Sequence, residues 1–211
     1  MISYRTIEGE CAASYEIQKS RFLAHIKHVT TEEEAREYIA KQKKTYFDAH
    51  HNCSAWILGE KAEKQKSNDD GEPGGTAGAP ILDALLKNDL TNIVAVITRY
   101  FGGIKLGAAG LIRAYSHCTV LGIESATILE MRLFQRIQLQ CSYSLFNPIT
   151  TFLRQKEIRT EDTSYAEHVT LSLLVSPNGT EEVLSELRNL TAARCKLERK
   201  DLVLLPIPCG K

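Results

Sequence analysis

The run Ile93-Val94-Ala95-Val96-Ile97 constrains this chain more than any other stretch. It is too short for a buried helix and rich in β-branched side chains, so it reads as a strand covered on both faces. A glycine-rich loop and a helical pattern stand on each side of it. The first loop is acidic, with Asp69, Asp70, Gly71, Glu72, Pro73, Gly74 and Gly75. The second is basic and runs from Arg99 through Tyr100, Gly102, Gly103 and Lys105 to Gly107. Strand, glycine loop and helix in that order leave backbone N–H groups free at a helix N-terminus, where an anion can sit.

The flanking sequence supplies an α+β pattern. Ser20 to Val29 places Phe22, Ala24 and Ile26 on one strand face. Thr31 and Glu34 have capping-box spacing, and Ala35, Tyr38 and Ile39 follow at helical intervals. A strand is expected over Asn52–Leu58, then a long polar loop from Gly59 to Gly75. Helices are expected from Thr76 to about Asn88, and from Ala108 to Ser125. Near Leu129–Leu133 the pattern restarts. Arg136–Cys141 reads as a strand, Asn147-Pro148 as a helix start, and Ile158–Ala166 with His168–Val175 as an antiparallel pair. Thr180 reads as the cap of a helix, and Cys195–Leu205 as a closing strand. That second set is βαββαβ, a ferredoxin-like order. Two domains are expected, residues 1–131 and 132–211.

With 211 residues and 43% hydrophobic content, either one large or two small cores can form. Lys plus Arg equals Asp plus Glu at 26 each, which counts against a general nucleic-acid binder. Locally the balance breaks: Leu90 to Ile123 holds no acidic residue, while Arg99, Lys105 and Arg113 lie within it. The six cysteines are scattered, with no CxxC or zinc-like spacing. They suit buried thiols in a reducing compartment. No apolar run has signal-peptide or membrane-span character. A soluble cytoplasmic protein is expected, with no membrane partner and no DNA-specific motif.

Three constellations carry chemistry. Asp69, Asp70 and Glu72 offer hard oxygen ligands for a divalent cation, or they shape a solvated turn. Gly102, Gly103 and Gly107 let backbone approach a phosphate, with Lys105 as point charge, or they form a tight crossover. The basic stretch is neither a Walker loop nor a dinucleotide fingerprint. His51 and Cys53, with His50 beside them, suggest a base and nucleophile, or the rim of a core. Thr76 completes this possible pocket. The spacing provides no orienting Asp or Asn, no zinc set and no cofactor motif.

The segment GAPILDALLKNDLTNIVAVITRYFGGIKLG resembles the signature of the IMPACT family, including its YigZ-like bacterial members. DDGEPGGTAG, GLIRAY and the His51–Cys53 tripeptide resemble it too. Gly74 stands where the family often has Ser, and Ala109 where it often has Gly, so a hydroxyl role at position 74 is excluded. The resemblance implies an N-terminal domain similar to the second domain of ribosomal protein S5. It implies a C-terminal domain similar to the last domain of elongation factor G. Eukaryotic members regulate translation through a kinase-activator partner, using an RWD domain for which this chain has no room. The expected function is a non-catalytic, translation-associated factor that binds RNA, the ribosome or a protein partner. Arg99, Tyr100, Gly102, Gly103, Lys105, Gly107 and Arg113 would be its contact surface. The alternative is an enzyme acting on a phosphate-bearing small molecule, with a metal held by the acidic loop.

Overall fold

The structure is a computed structural model that describes residues 3–208. Cys209 lies outside them. The chain divides into two compact units that meet between residues 131 and 132; positions 207–208 group with the first.

In the first unit, β2 (Glu10–Ile17), β3 (Ser20–His28), β6 (Ile93–Tyr100), β4 (His51–Leu58) and β5 (Lys64–Asn68) form one sheet, in that spatial order. Every pairing in it is antiparallel. β1 (Ser3–Ile7) precedes this sheet in sequence. One sheet face carries Phe22, Ala24, Ile26, Cys53, Ala55, Ile57, Ala95 and Ile97. Helices α2 (Gly78–Lys87) and α3 (Gly107–Glu124) cover it with Ile81, Leu85, Leu111, Ala114 and Tyr115. The other face carries Trp56, Leu58, Val94 and Val96 under Ala35 and Tyr38 of α1 (Glu32–Thr45). Helices on both faces explain why the middle strand β6 lacks alternation: from Ile93 to Arg99 every residue is buried.

Local signals set the helix ends. The Thr31 hydroxyl accepts from Glu34 N–H at 3.2 Å, as the capping spacing requires. The return arm is displaced by one residue, because the Glu34 carboxylate accepts from Thr30 N–H at 2.6 Å. Gly122, which looks like a weak point within α3, is where that helix meets β3. A Cβ there would stand 2.7 Å from Ile26 Cδ1 and 3.2 Å from Ala24 Cβ.

The second unit contains β7 (Ile128–Cys141), α4 (Tyr143–Gln155), β8 (Arg159–Tyr165), β9 (Val169–Val175), α5 (Thr180–Leu190) and β10 (Lys196–Pro208). β9 and β10 both pair with β7, and β8 lies outside β9. Its core joins Ile137, Leu139, Val169, Leu171 and Leu173 of the strands to Leu145, Ile149 and Leu153 of α4 and to Val183, Leu184 and Leu187 of α5.

Several expectations need correction. Gly59–Gly75 is not one loop, since β5 lies inside it and pairs with β4 from Ser54↔Asn68 to Leu58↔Lys64. All five β5 residues are exposed, so no alternation marks the strand. β7 is continuous from Ile128, with no break before Arg136. Asn147-Pro148 does not start α4. The helix begins at Tyr143 and Pro148 sits inside it. Starting a turn earlier buries Leu145 in register with Ile149 and Leu153, which outweighs the hydrogen bond that proline removes. Thr180 is the first residue of α5 rather than its cap, and its hydroxyl donates to Ser176 O at 3.1 Å. Among the described residues no helix is long and apolar enough to cross a membrane.

Candidate functional site

The start of β4 and the end of β6 are neighbours in the sheet, with His51 opposite Arg99. The acidic loop folds over this end. Glu72 is buried against it, and its Oε1 accepts from Arg99 Nη1 at 2.6 Å and from the Tyr115 hydroxyl at 2.8 Å. Arg99 is itself buried. Its Nη2 donates to Ser20 Oγ at 3.4 Å, and its guanidinium lies 5.4 Å from the ring centres of Phe22 and Phe101. His51 Nδ1 donates to Asp70 O at 2.9 Å, which leaves Nε2 facing Glu72 Oε2 at 3.9 Å. The Cys53 thiol donates to Asp69 O at 2.9 Å, and its sulfur lies 3.4 Å from Tyr115 Oη.

The acidic side chains are engaged structurally. Asp69 accepts from the N–H groups of Gly75 at 2.9 Å, Ala77 at 3.0 Å and Gly78 at 2.7 Å. It thereby satisfies the open N-terminus of α2 from outside the helix. Asp70 accepts from Asn52 N–H at 2.7 Å and from Lys43 Nζ at 2.5 Å. Thr76 is buried, with its hydroxyl donating to Pro73 O at 2.7 Å. Glu72 is neutralised by Arg99. The metal-holding reading of Asp69, Asp70 and Glu72 therefore loses its ligands to amides and cations. Among the described residues no group of His, Cys, Asp and Glu is arranged to hold a metal ion.

The nucleophile reading of Cys53 fails for a related reason. Burial pushes its thiol up to about 12, and the nearby Glu72, Asp70 and Asp69 charges add to that; the Tyr115 hydrogen bond opposes them. At neutral pH the group is a thiol, and the thiolate is the reactive form. Cys53 packs in the core with Tyr115, which burial also pushes upward. Tyr115 is the residue that sequence reasoning missed as part of this cluster. The signal was present: a tyrosine among the buried positions of α3 needs a partner for its hydroxyl.

The basic loop is built differently. Gly102 N–H donates to Ser20 Oγ at 3.3 Å, and a Cβ on Gly102 would stand 2.0 Å from the Lys19 backbone. Only glycine fits that approach. Gly103 and Gly107 hold φ of +86 and +70. The Tyr100 hydroxyl donates to Asp48 at 2.9 Å. Arg99 does not belong to the open basic surface, because Glu72 holds it inside. Lys105 and Arg113 are exposed, and neither makes a hydrogen bond or ion pair to another described residue. α3 begins at Gly107 without a side-chain cap, unlike α2, whose first N–H groups meet Asp69. The structure thus joins His51, Cys53, Asp69, Asp70, Glu72 and Arg99 in one network. Lys105, Gly107 and Arg113 stand outside it.

Residues 18–123 match the family model of the Impact N-terminal domain, and residues 139–194 match a domain of unknown function, DUF1949. The IMPACT family member YvyE of Bacillus subtilis is 39% identical over 203 residues, covering 96% of this chain and 94% of its own length. The chain belongs to the IMPACT family. The family member YigZ of Escherichia coli is 31% identical over 184 residues, covering 86% of this chain and 90% of YigZ. A solved structure described as a hypothetical protein is 28% identical, covers 95% of this chain and 98% of its own, and superposes with a TM-score of 0.61. For this IMPACT chain the two-domain α/β arrangement therefore has a solved counterpart across nearly its whole length.

Proposed function

We propose that this IMPACT family chain is a non-catalytic, translation-associated factor that binds RNA of the ribosome through the basic loop and the first turns of α3. The observation that carries the reading is the pair of unpartnered, exposed cations, Lys105 and Arg113, in a stretch without carboxylates. The uncapped start of α3 adds N–H groups that favour anions at the same place. Family resemblance supplies the translation context. The strand order β10-β7-β9-β8 supports a ferredoxin-like second domain of the kind found at the end of elongation factor G. The first unit is read with the second domain of ribosomal protein S5 on the family resemblance alone. The compartment implied is the cytoplasm. The enzyme alternative has less support, because the carboxylates that would hold its metal are engaged by backbone amides, Lys43 and Arg99.

The test is co-sedimentation with ribosomes across a range of salt concentrations. Changing Lys105→Ala together with Arg113→Ala is expected to weaken association and flatten its salt dependence, because each lost phosphate contact removes about one released counterion. Unchanged affinity and slope, with the fold intact by circular dichroism, would exclude this surface.

The domain assignment 1–131 and 132–211 is part of the same proposal. It is supported by the separate cores of the two units. A fragment from Met131 to Lys211 is expected to melt cooperatively in isolation. An unfolded fragment beside a folded full chain would show that the second unit depends on the first.

A further inference from the structure

Three loops are tied together at the basic-loop end of the first sheet. The α1–β4 connection is held to β6 by His50 N–H donating to Arg99 O at 3.1 Å, by Phe101 N–H donating to His50 Nδ1 at 3.2 Å, and by the Tyr100–Asp48 bond. The β2–β3 turn abuts Gly102 through the backbone of Lys19. This junction gathers rings that are far apart in sequence. Phe47 is 84% exposed, more than any other large hydrophobic residue described, and Phe101 is 37% exposed. The His50 ring meets Phe101 edge-on at 6.1 Å, and the Arg21 guanidinium lies 4.9 Å from the Tyr100 ring centre.

Exposed cations outnumber exposed acids around these rings, with Lys19, Arg21 and Lys105 against Glu16 and Asp48. Lys19 and Lys105 are exposed with no partner among the described residues. Asp48 accepts from the Tyr100 hydroxyl and keeps its charge, whereas Asp70 is paired with Lys43. Exposed ring faces beside free cations match the way unpaired bases and their backbone are held: bases stack on rings, and phosphates meet the cations. A duplex hides its base faces and would leave Phe47 in water.

We propose that this junction is a stacking platform for single-stranded RNA, with Phe47 as its main ring and Lys19 and Lys105 tracking the phosphates. The proposal rests on the RNA-binding reading above and names the form of RNA taken.

The probe is a fluorescein-labelled oligouridylate of about a dozen nucleotides, titrated into the full chain. Phe47→Ala is expected to weaken binding about tenfold while leaving the salt slope unchanged, because the ring neutralises no phosphate. Phe47→Trp is expected to retain affinity and to lose tryptophan emission as RNA is added. The native Trp56 is 5% exposed and should contribute little to that change. Duplex RNA of equal length should compete poorly. If Phe47→Ala binds like the wild type and Phe47→Trp emission does not move, the platform is overturned and the ring is left to a protein partner. The RNA reading itself survives that result, provided Lys105→Ala with Arg113→Ala still weakens ribosome association. If the wild type binds neither oligouridylate nor ribosomes, both fail together.

Discussion

Glu72→Ala is expected to destabilise the first unit by about 3–5 kcal/mol, a large share of the stability of a typical domain. The Arg99 and Glu72 side chains are 6% and 3% exposed and lie 2.6 Å apart. Removing the carboxylate strands a guanidinium in the interior and takes the acceptor from the Tyr115 hydroxyl. Glu72→Gln should cost less, since an amide oxygen can still accept from Tyr115. Replacing both partners, Glu72→Leu with Arg99→Met, should recover much of the loss, because an apolar pair carries no desolvation penalty. Urea unfolding followed through Trp56 fluorescence measures all three. If Glu72→Ala unfolds at the wild-type midpoint, the pair is not a determinant of the fold.

Asp69→Ala is expected to cost about 2–4 kcal/mol, since several N–H groups lose a charged acceptor at once. Its pH dependence has a definite sign. Burial works to raise the Asp69 carboxyl, but the N–H groups of Gly75, Gly78 and Ala77 outweigh it and hold the group below its ordinary 3.8. A carboxyl depressed in the folded state contributes stability that is fully present above its unfolded value and is lost as pH falls through its folded value. The gap between wild type and Asp69→Ala should therefore be full at neutral pH, hold down to about pH 4, and close below it. Unfolding curves at stepped pH would show this. A gap that is constant down into the acid range would mean that the carboxylate charge is not what the helix start uses.

The strongly patterned parts of the chain are legible in the sequence itself. Ile93–Ile97 announced a strand covered on both faces, and Phe22, Ala24 and Ile26 announced which side of β3 is buried. Val169, Leu171 and Leu173 did the same for β9. What stayed hidden follows from how the signals work. β5 has no apolar alternation because it buries nothing. The start of α4 was masked by Pro148, whose preference for a first turn is real but weaker than the packing of Leu145. The candidate site was legible in composition and not in roles. Asp69 and Asp70 looked like metal ligands, yet their partners are backbone amides and Lys43, which no spacing rule could pair with them. Arg99 looked like a surface cation, yet it is buried against Glu72, whose carboxylate also accepts from Tyr115. The aromatic junction is built from positions 47, 50, 100 and 101, and only the pairing of β4 with β6 brings those together.

β5 also has a consequence for how the hairpin keeps its alignment. Its five residues, Lys64 to Asn68, are all exposed, so no burial separates the observed pairing with β4 from one slid along by a residue. The fastening lies just past the strand. A Cβ on Gly78 would stand 2.7 Å from the Asn68 backbone nitrogen, which leaves no play between strand end and helix start. Asp69 then grips α2, and Asp70 grips the Asn52 N–H of β4. The acidic loop acts as a pawl that stops the edge strand from slipping, and the distance from His51 to Glu72 is set by the same stop.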